Sequence, residues 1–580
     1  MNGHLREASY RLLGGDGKAS NGRTDEETTT GLKGLISSQW RIVLAFLLTT
    51  FAALYYVTLP LPAPSDEVLG YANGTSHATG PRPAEFHLLI SAPNAEVESC
   101  KLLASAAVAG YPTPFFINWN IDDASTAVAA ELAKIRGVSD YLDSLDSTHD
   151  DDLILLIDGQ DIWMQLRPQV IIDRFLAINA RADARLANEL NGKNTHGKRI
   201  RQEIVFASRR SCAPWSAEDP ACYAVPESTL APGIFGPEED AKRSRPKYLH
   251  DGVVMGTARA MRKLFTEAVA EAEAKLKKQY PPQEGTSVTE REIYDERKPI
   301  LPYIFGEQEL FRELVRRHSA SYDDHFLGSK LLEHRGTSKW NESHLSAVSA
   351  KAAARSDHIF DFGIGIDYNS ELSLSLQSAS TAETAWLLMN DTASLAAVQD
   401  AHGIPREKHR TRELQVDIAK SLPPFWTFSY EPSLPRWRGW DEVDLLTNVF
   451  TGITPGIIQL NGGNVENNKD LRHQWWNLLW SHSHLRVLFD AFIYAPILPV
   501  AVSGTLVSSQ EGPEDISASS SQFKAIREFW PSEIWKGGAR DGPGGIGTGE
   551  NWIRWDEVCR EFHEEIFDDG KGWWALPENH

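Results

Sequence analysis

The stretch DLILLIDGQDIW, residues 152–163, decides how this chain is read. Its unbroken apolar run, Leu153 to Ile157, marks a strand covered on both faces rather than one with a wet side. The run ends on two carboxylates three apart, Asp158 and Asp161, with the turn-former Gly159 between them. Open α/β sheets bind ligands in the crevice outside the carboxyl ends of their strands. Two carboxylates on one turn there can ligate a hard divalent cation, which can hold a nucleotide pyrophosphate that bare carboxylates would repel. The same spacing also serves a plain turn in which Asp158 is a cap and Asp161 is solvated, and spacing alone leaves both open.

Outward from this strand, apolar runs alternate with helical patterns. HLLISA (87–92), TPFFINW (113–119) and EIVFAS (203–208) read as strands, and residues 358–368 supply another. Residues 95–110, 127–135, 171–178 and 258–279 read as helices, the last ended by Pro281-Pro282. This alternation predicts an α/β domain with a mostly parallel sheet and helices on both faces.

The full chain has 580 residues, 42% hydrophobic and 24% charged, so most of it is globular. It carries 58 Lys+Arg against 79 Asp+Glu, a formal charge of −21, which argues against nucleic acid as a partner. Residues 42–61, IVLAFLLTTFAALYYVTLPL, lack any charge and are long enough for a roughly 30 Å hydrocarbon core. Lys33 and Arg41 precede this segment, and Asp66 and Glu67 follow it. Positive-inside orientation predicts a single-pass type II membrane protein with its N-terminus in the cytosol and residues after about 62 in a lumen or outside. The expected organisation is a disordered cytosolic tail (1–41), a signal-anchor helix (42–61), a stem (62–84), the α/β domain (85–502), and a Ser/Gly linker with a Trp-rich appendage (503–580). Sequons at Asn73, Asn341 and Asn390 agree with a lumenal body, as does an even number of cysteines, all beyond the anchor. Cys212 and Cys222 are close enough in sequence to predict a disulfide, which leaves Cys100 and Cys559 as a possible second pair.

Several segments, in order, resemble the GT-A glycosyltransferase fold, and within it the glycosyltransferase domain of the procollagen-lysine hydroxylase/glycosyltransferase family. The resemblance covers roughly residues 85–465. Lys134-Ile-Arg136-Gly137 is similar to the family's basic donor-site segment, and Asp158-Gly-Gln-Asp161 to its D-x-x-D metal motif. YLHDGVVMGTARAMRKLF (248–265), with Asp251 and Gly252, resembles a donor-site strand and helix, and IGIDYNSEL (364–372) a further strand carrying Asp367. Gly306-Glu307-Gln308 stands where the family has an acidic D-D-Q segment, and Gln459 where it has a metal-ligating His.

The resemblance implies a membrane-anchored lumenal glycosyltransferase that moves a sugar from a nucleotide-sugar donor to a hydroxyl of a glycan or glycoprotein. In that reading Asp158, Asp161 and Gln459 hold Mn²⁺ or Mg²⁺, Lys134, Arg136, Asp251 and Gly252 bind the donor, the catalytic Glu307 positions or deprotonates the acceptor, and Trp163 lines the acceptor cleft, although an aromatic after a strand more often faces the core. The two departures, Gln459 and Gly306, favour an alternative: a catalytically weak relative acting as a binding or scaffold subunit of a glycosylation complex. G-x-G-x-x-G at 542–547 follows no strand pattern and carries Pro543 in its turn, so it reads as a loop.

Overall fold

The computed structural model describes residues 84–573 except 93, 120–126, 191–193, 196–197, 237–242, 280–297, 318–340, 356–358, 377, 412, 428–429, 462–468, 494–498, 504–521, 527–538 and 542–551. The tail, anchor and Asn73, nearly all of the stem, the 504–521 linker and the 542–547 glycine motif therefore lie outside the described residues. Among those described, no helix is long and apolar enough to cross a membrane.

The fold is mixed α/β, with a mainly parallel central sheet and helices. The first strands are β1 (Phe86–Ser91), β2 (Phe115–Ile117), β3 (Leu153–Asp158) and β4 (Ile162–Met164). β1 lies between β2 and β3, parallel to both, with Ser91 opposite Ile117 and Asp158. On the far side of β3 the long strand Tyr248–Thr257 runs antiparallel and pairs in turn with Ile204–Arg209. Ile364–Ile366 closes that edge, parallel to Ile204–Arg209.

Leu153–Ile157 is buried along its whole length because successive side chains enter two different cores. Leu153, Leu155 and Ile157 join one cluster, with the helices Val97–Ala109 and Pro168–Glu189. Ile154 and Leu156 join the other, with Ala127–Ser144, Ala258–Gln279 and Ile300–Arg317. A strand with no wet face needs no polar alternation, which is why this one reads as a continuous apolar run.

Two short strands of the C-terminal region, expected as an appendage on the main domain, join the central sheet. Ala539–Asp541 pairs in parallel with β2, and Trp552–Ile553 pairs antiparallel with Ala539–Asp541, so both belong to the central sheet. Trp555 is fully buried in the first core, and Cys559 is bonded to Cys100 of the Val97–Ala109 helix. Among the described tryptophans of this region, Trp555 is thus in the first core and Trp573 packs against that core.

Candidate functional site

The turn after β3 is tight because β1 presses on it. Gly159 donates its N–H to Ser91 O at 2.7 Å, and a Cβ on Gly159 would sit 2.5 Å from that oxygen and 2.7 Å from Ala92 Cβ. Only glycine passes there. Asp161 adopts the left-handed conformation, φ 60°, and turns the chain into β4, whose Ile162 pairs with Gln459 on the strand Ile457–Gln459.

Asp158 thus ends at the bottom of a recess, its side chain 42% open to solvent yet walled by charged groups. Lys134, from the Ala127–Ser144 helix, donates to Asp158 Oδ1 at 2.6 Å and to the Asp251 carbonyl at 3.1 Å, and its Nζ lies 3.8 Å from Asp251 Oδ2. Burial works against the Lys134 ammonium, but Asp158 and Asp251 outweigh it and hold the charge more firmly than in water. Burial raises Asp158 above the usual carboxylate range despite Lys134. Burial also works against the ionised Asp251, yet Lys134, His250 and Arg209 hold it below that range.

Glu131 stands one helical turn before Lys134 and accepts the Ile300 N–H at 3.0 Å. Burial, then the charge on Asp251, pushes it up to about 7. The recess therefore holds carboxyl groups of differing proton affinity, the pattern by which a site separates a proton carrier from a permanent anion.

A second tier supports Asp251. A Cβ on Gly252 would lie 2.7 Å from Gln459 Oε1 and 2.6 Å from His250 Cε1, so the glycine lets this strand close on Gln459. Gln459 is fully buried; its Nε2 donates to Ser373 Oγ, and its Oε1 has no hydrogen-bond partner. Burial lowers His250 to about 4, leaving a neutral ring. Its Nδ1 accepts from Gly252 N–H at 3.1 Å, so the ring proton sits on Nε2, 3.0 Å from the Asn461 amide. That amide must present its oxygen to His250 and its nitrogen to Ser375 Oγ at 2.8 Å.

Asp161 belongs to a different group. Its Oδ1 is 2.5 Å from Arg472 Nη1, and the same nitrogen is 3.7 Å from Glu98 Oε1. Trp163, expected in an acceptor cleft, is wholly inside: its Nε1 donates to Glu98 Oε2 at 3.2 Å and its ring meets Trp476 edge-on. β4 is covered on both faces, so Trp163 points into core, the commoner of the two environments for an aromatic after a strand.

The structure brings together Asp158, Lys134, Asp251, Gly252 and Gln459. Arg136 is set apart, two residues beyond Lys134 and so on another side of the helix, where Glu273 is 3.9 Å away. Glu307 is buried in the Ile300–Arg317 helix and clasped at both oxygens by Lys351 at 2.9 Å, with Glu271 on the same ammonium. Gly306 beside it is forced by close contact with the Pro220 backbone, where a Cβ would meet carbonyl carbon at 2.3 Å. Asp367 is a turn anchor, accepting the N–H groups of Glu371, Leu372 and Ser373. Asn341 caps the Glu342–Ala354 helix, and both it and Asn390 are exposed. Cys212 and Cys222 are joined, as are Cys100 and Cys559.

Of the expected cation ligands, Asp158 is partly open to solvent, and Gln459 is fully buried with its Oε1 lacking a hydrogen-bond partner. Asp161 would first have to release Arg472. Glu131, Arg209, His250, Asn461 and Arg472 were missed in the sequence. Glu131 alone had a signal, its i,i+3 spacing to Lys134. Among the described residues, the one group of three or more His, Cys, Asp or Glu side chains able to share a metal ion lies elsewhere: Glu85, His87, His149 and Asp152.

No protein-family model matches the chain, and no curated protein does.

Proposed function

We propose that this chain is a glycosyltransferase that moves a sugar from a nucleotide-sugar donor to a hydroxyl of a glycan or glycoprotein, from a type II position in the Golgi or ER membrane. The single observation that carries the reading is the charged recess at the carboxyl end of β3, where Lys134 joins Asp158 to Asp251. That is where open α/β sheets take ligands. Lys134 and Arg209 give an anionic diphosphate two cations in an otherwise acidic setting. Glu131, titrating at about 7, can take a proton from an acceptor hydroxyl and return it near neutrality, a task that Glu307, clasped by Lys351, is poorly placed to perform. Gly252 lets the strand that carries Asp251 close on Gln459, where a Cβ would clash with Gln459 and His250. Mn²⁺ or Mg²⁺, held by Asp158 and Gln459, would supply charge neutralisation to the leaving diphosphate.

The test is a panel of nucleotide sugars with the purified protein, in Mn²⁺ and in EDTA, scored for nucleoside diphosphate release. Asp158→Asn should lower turnover by on the order of a hundredfold, as loss of one charge-stabilising contact does, with Asp161→Asn milder. The Asp161–Arg472 pair and the enclosed Gln459 favour the scaffold reading instead. Absence of both turnover and nucleotide binding across the panel would select it.

A further inference from the structure

We propose that Glu85, His87, His149 and Asp152 form a structural zinc site at the amino end of the sheet, remote from the recess. Leu153–Asp158 is six residues long, which puts the cluster about 20 Å from Asp158. It is independent of the transferase reading.

One candidate ligand atom from each residue lies within 4.8 Å of all the others. His87 Nε2 and His149 Nδ1 approach the same oxygen, Asp152 Oδ2, at 2.9 and 2.8 Å. Ligand atoms around a tetrahedral zinc, with bonds of about 2.0–2.2 Å, stand roughly 3.3–3.5 Å apart. The two histidine approaches are about half an ångström shorter than that and the other separations are at most 4.8 Å, so the ligand atoms need move by no more than about 1.5 Å. Two imidazoles and two carboxylates supply the borderline donors that suit zinc, and the carboxylates balance its double charge.

The surroundings are already arranged to orient the ligands. Asp152 Oδ1 accepts the Glu85 backbone N–H at 2.8 Å, which fixes the carboxylate and leaves Oδ2 facing the rings. His87 Nδ1 is 2.8 Å from Tyr141 Oη. Without metal, each neutral ring must turn an N–H toward Asp152. With metal, Nε2 of His87 gives its lone pair to zinc, the ring proton moves to Nδ1, and Nδ1 donates to Tyr141, the oriented outer partner that metal-bound histidines usually have. His149 shifts its proton to Nε2 in the same way, and no proton is lost. Asp152 is buried, while Glu85, His87 and His149 are half-buried, so an ion can enter from solvent. Four protein ligands leave no open position, which makes the site a clasp between the starts of β1 and β3 rather than a reaction centre.

The test uses Co²⁺ as a spectroscopic stand-in for zinc on the purified full chain, stripped with EDTA and dialysed. The expected result is one equivalent bound with the strong visible band of four-coordinate Co²⁺, displaced by Zn²⁺, with a raised melting temperature. His149→Gln and His87→Gln should each abolish the band, whereas Asp158→Asn should keep it, separating this site from the recess. If His87→Gln does not fold, His149→Gln and Glu85→Gln, both at half-buried positions, decide the matter, the latter by a weaker affinity of at least tenfold. No four-coordinate band in the wild type overturns the proposal, as does a band unchanged in the folded histidine variants.

Discussion

Replacing Lys134 with Met keeps the stem and deletes the charge that separates two carboxylates. Asp158 Oδ1 and Asp251 Oδ2 share one nitrogen at 2.6 and 3.8 Å, so these oxygens are less than about 6.5 Å apart. At an effective dielectric constant near 20, two charges at that distance repel by about 2.5 kcal/mol. Both side chains are partly open, 42% and 27%, and water screens them, so about 1–2 kcal/mol of repulsion is expected to survive, plus about 1–2 kcal/mol for the lost charged hydrogen bonds. The assay is urea unfolding followed by tryptophan fluorescence at pH 7 for Lys134→Met, Asp158→Asn and the double variant. Lys134→Met should cost about 2–4 kcal/mol, and the double variant should cost less than the sum of the singles by at least 1 kcal/mol, because removing Asp158 removes the repulsion. Burial already raises Asp158, and loss of Lys134 raises it further. A carboxyl whose folded pKa exceeds its unfolded one favours the fold below the unfolded value and loses that contribution as pH rises through the folded value. The deficit of Lys134→Met should therefore shrink between pH 7 and pH 5. Strict additivity of the two substitutions, or a deficit independent of pH, would refute the shared-cation account.

Three further outcomes are expected. Glu131 titrates at about 7 in the fold, so its favourable contribution is complete below its ordinary pKa near 4.5 and is lost through about 7. Glu131→Gln should therefore gain on wild type between pH 4.5 and 8, and a constant stability difference across that window would contradict the assignment. Gly252→Ala places a Cβ against Gln459 Oε1 and His250 Cε1 and should cost about 1–3 kcal/mol by overpacking, read as a lowered urea midpoint; an unchanged midpoint would mean the strand can retreat there. Cys559→Ser opens a link spanning 459 positions and should cost about 3–5 kcal/mol, with free-thiol labelling of unreduced wild type at zero; four reactive thiols would show that neither bridge forms.

What the sequence made legible was local. The apolar run of β3, the turn behind it and the helix Ala258–Gln279 each follow from a few adjacent residues, and so does the closeness of Cys212 to Cys222. Asp158 at the strand's end was legible for the same reason. The partners of these groups were not, because folding brings them from far along the chain. Arg472 reaches Asp161 across more than three hundred residues, and Lys351 reaches Glu307 from another helix. An aligned pair of carboxylates looks the same in sequence whether its second member faces a ligand or an arginine. Trp163 shows a related limit: an aromatic after a turn can face a cleft or a core, and only the cover over β4 decides.

The pairing of Ala539–Asp541 with β2 also bears on how the protein is made. A ribosome delivers Phe115–Ile117 more than four hundred residues before the strand that flanks it. At about 5–20 residues per second, that edge waits on the order of a minute for its neighbour. Throughout that interval a row of unsatisfied amides and carbonyls stands open to any other extended chain. The nascent protein is thus committed to a late closing step, and a ribosome that stops short of residue 539 releases a sheet with an adhesive rim.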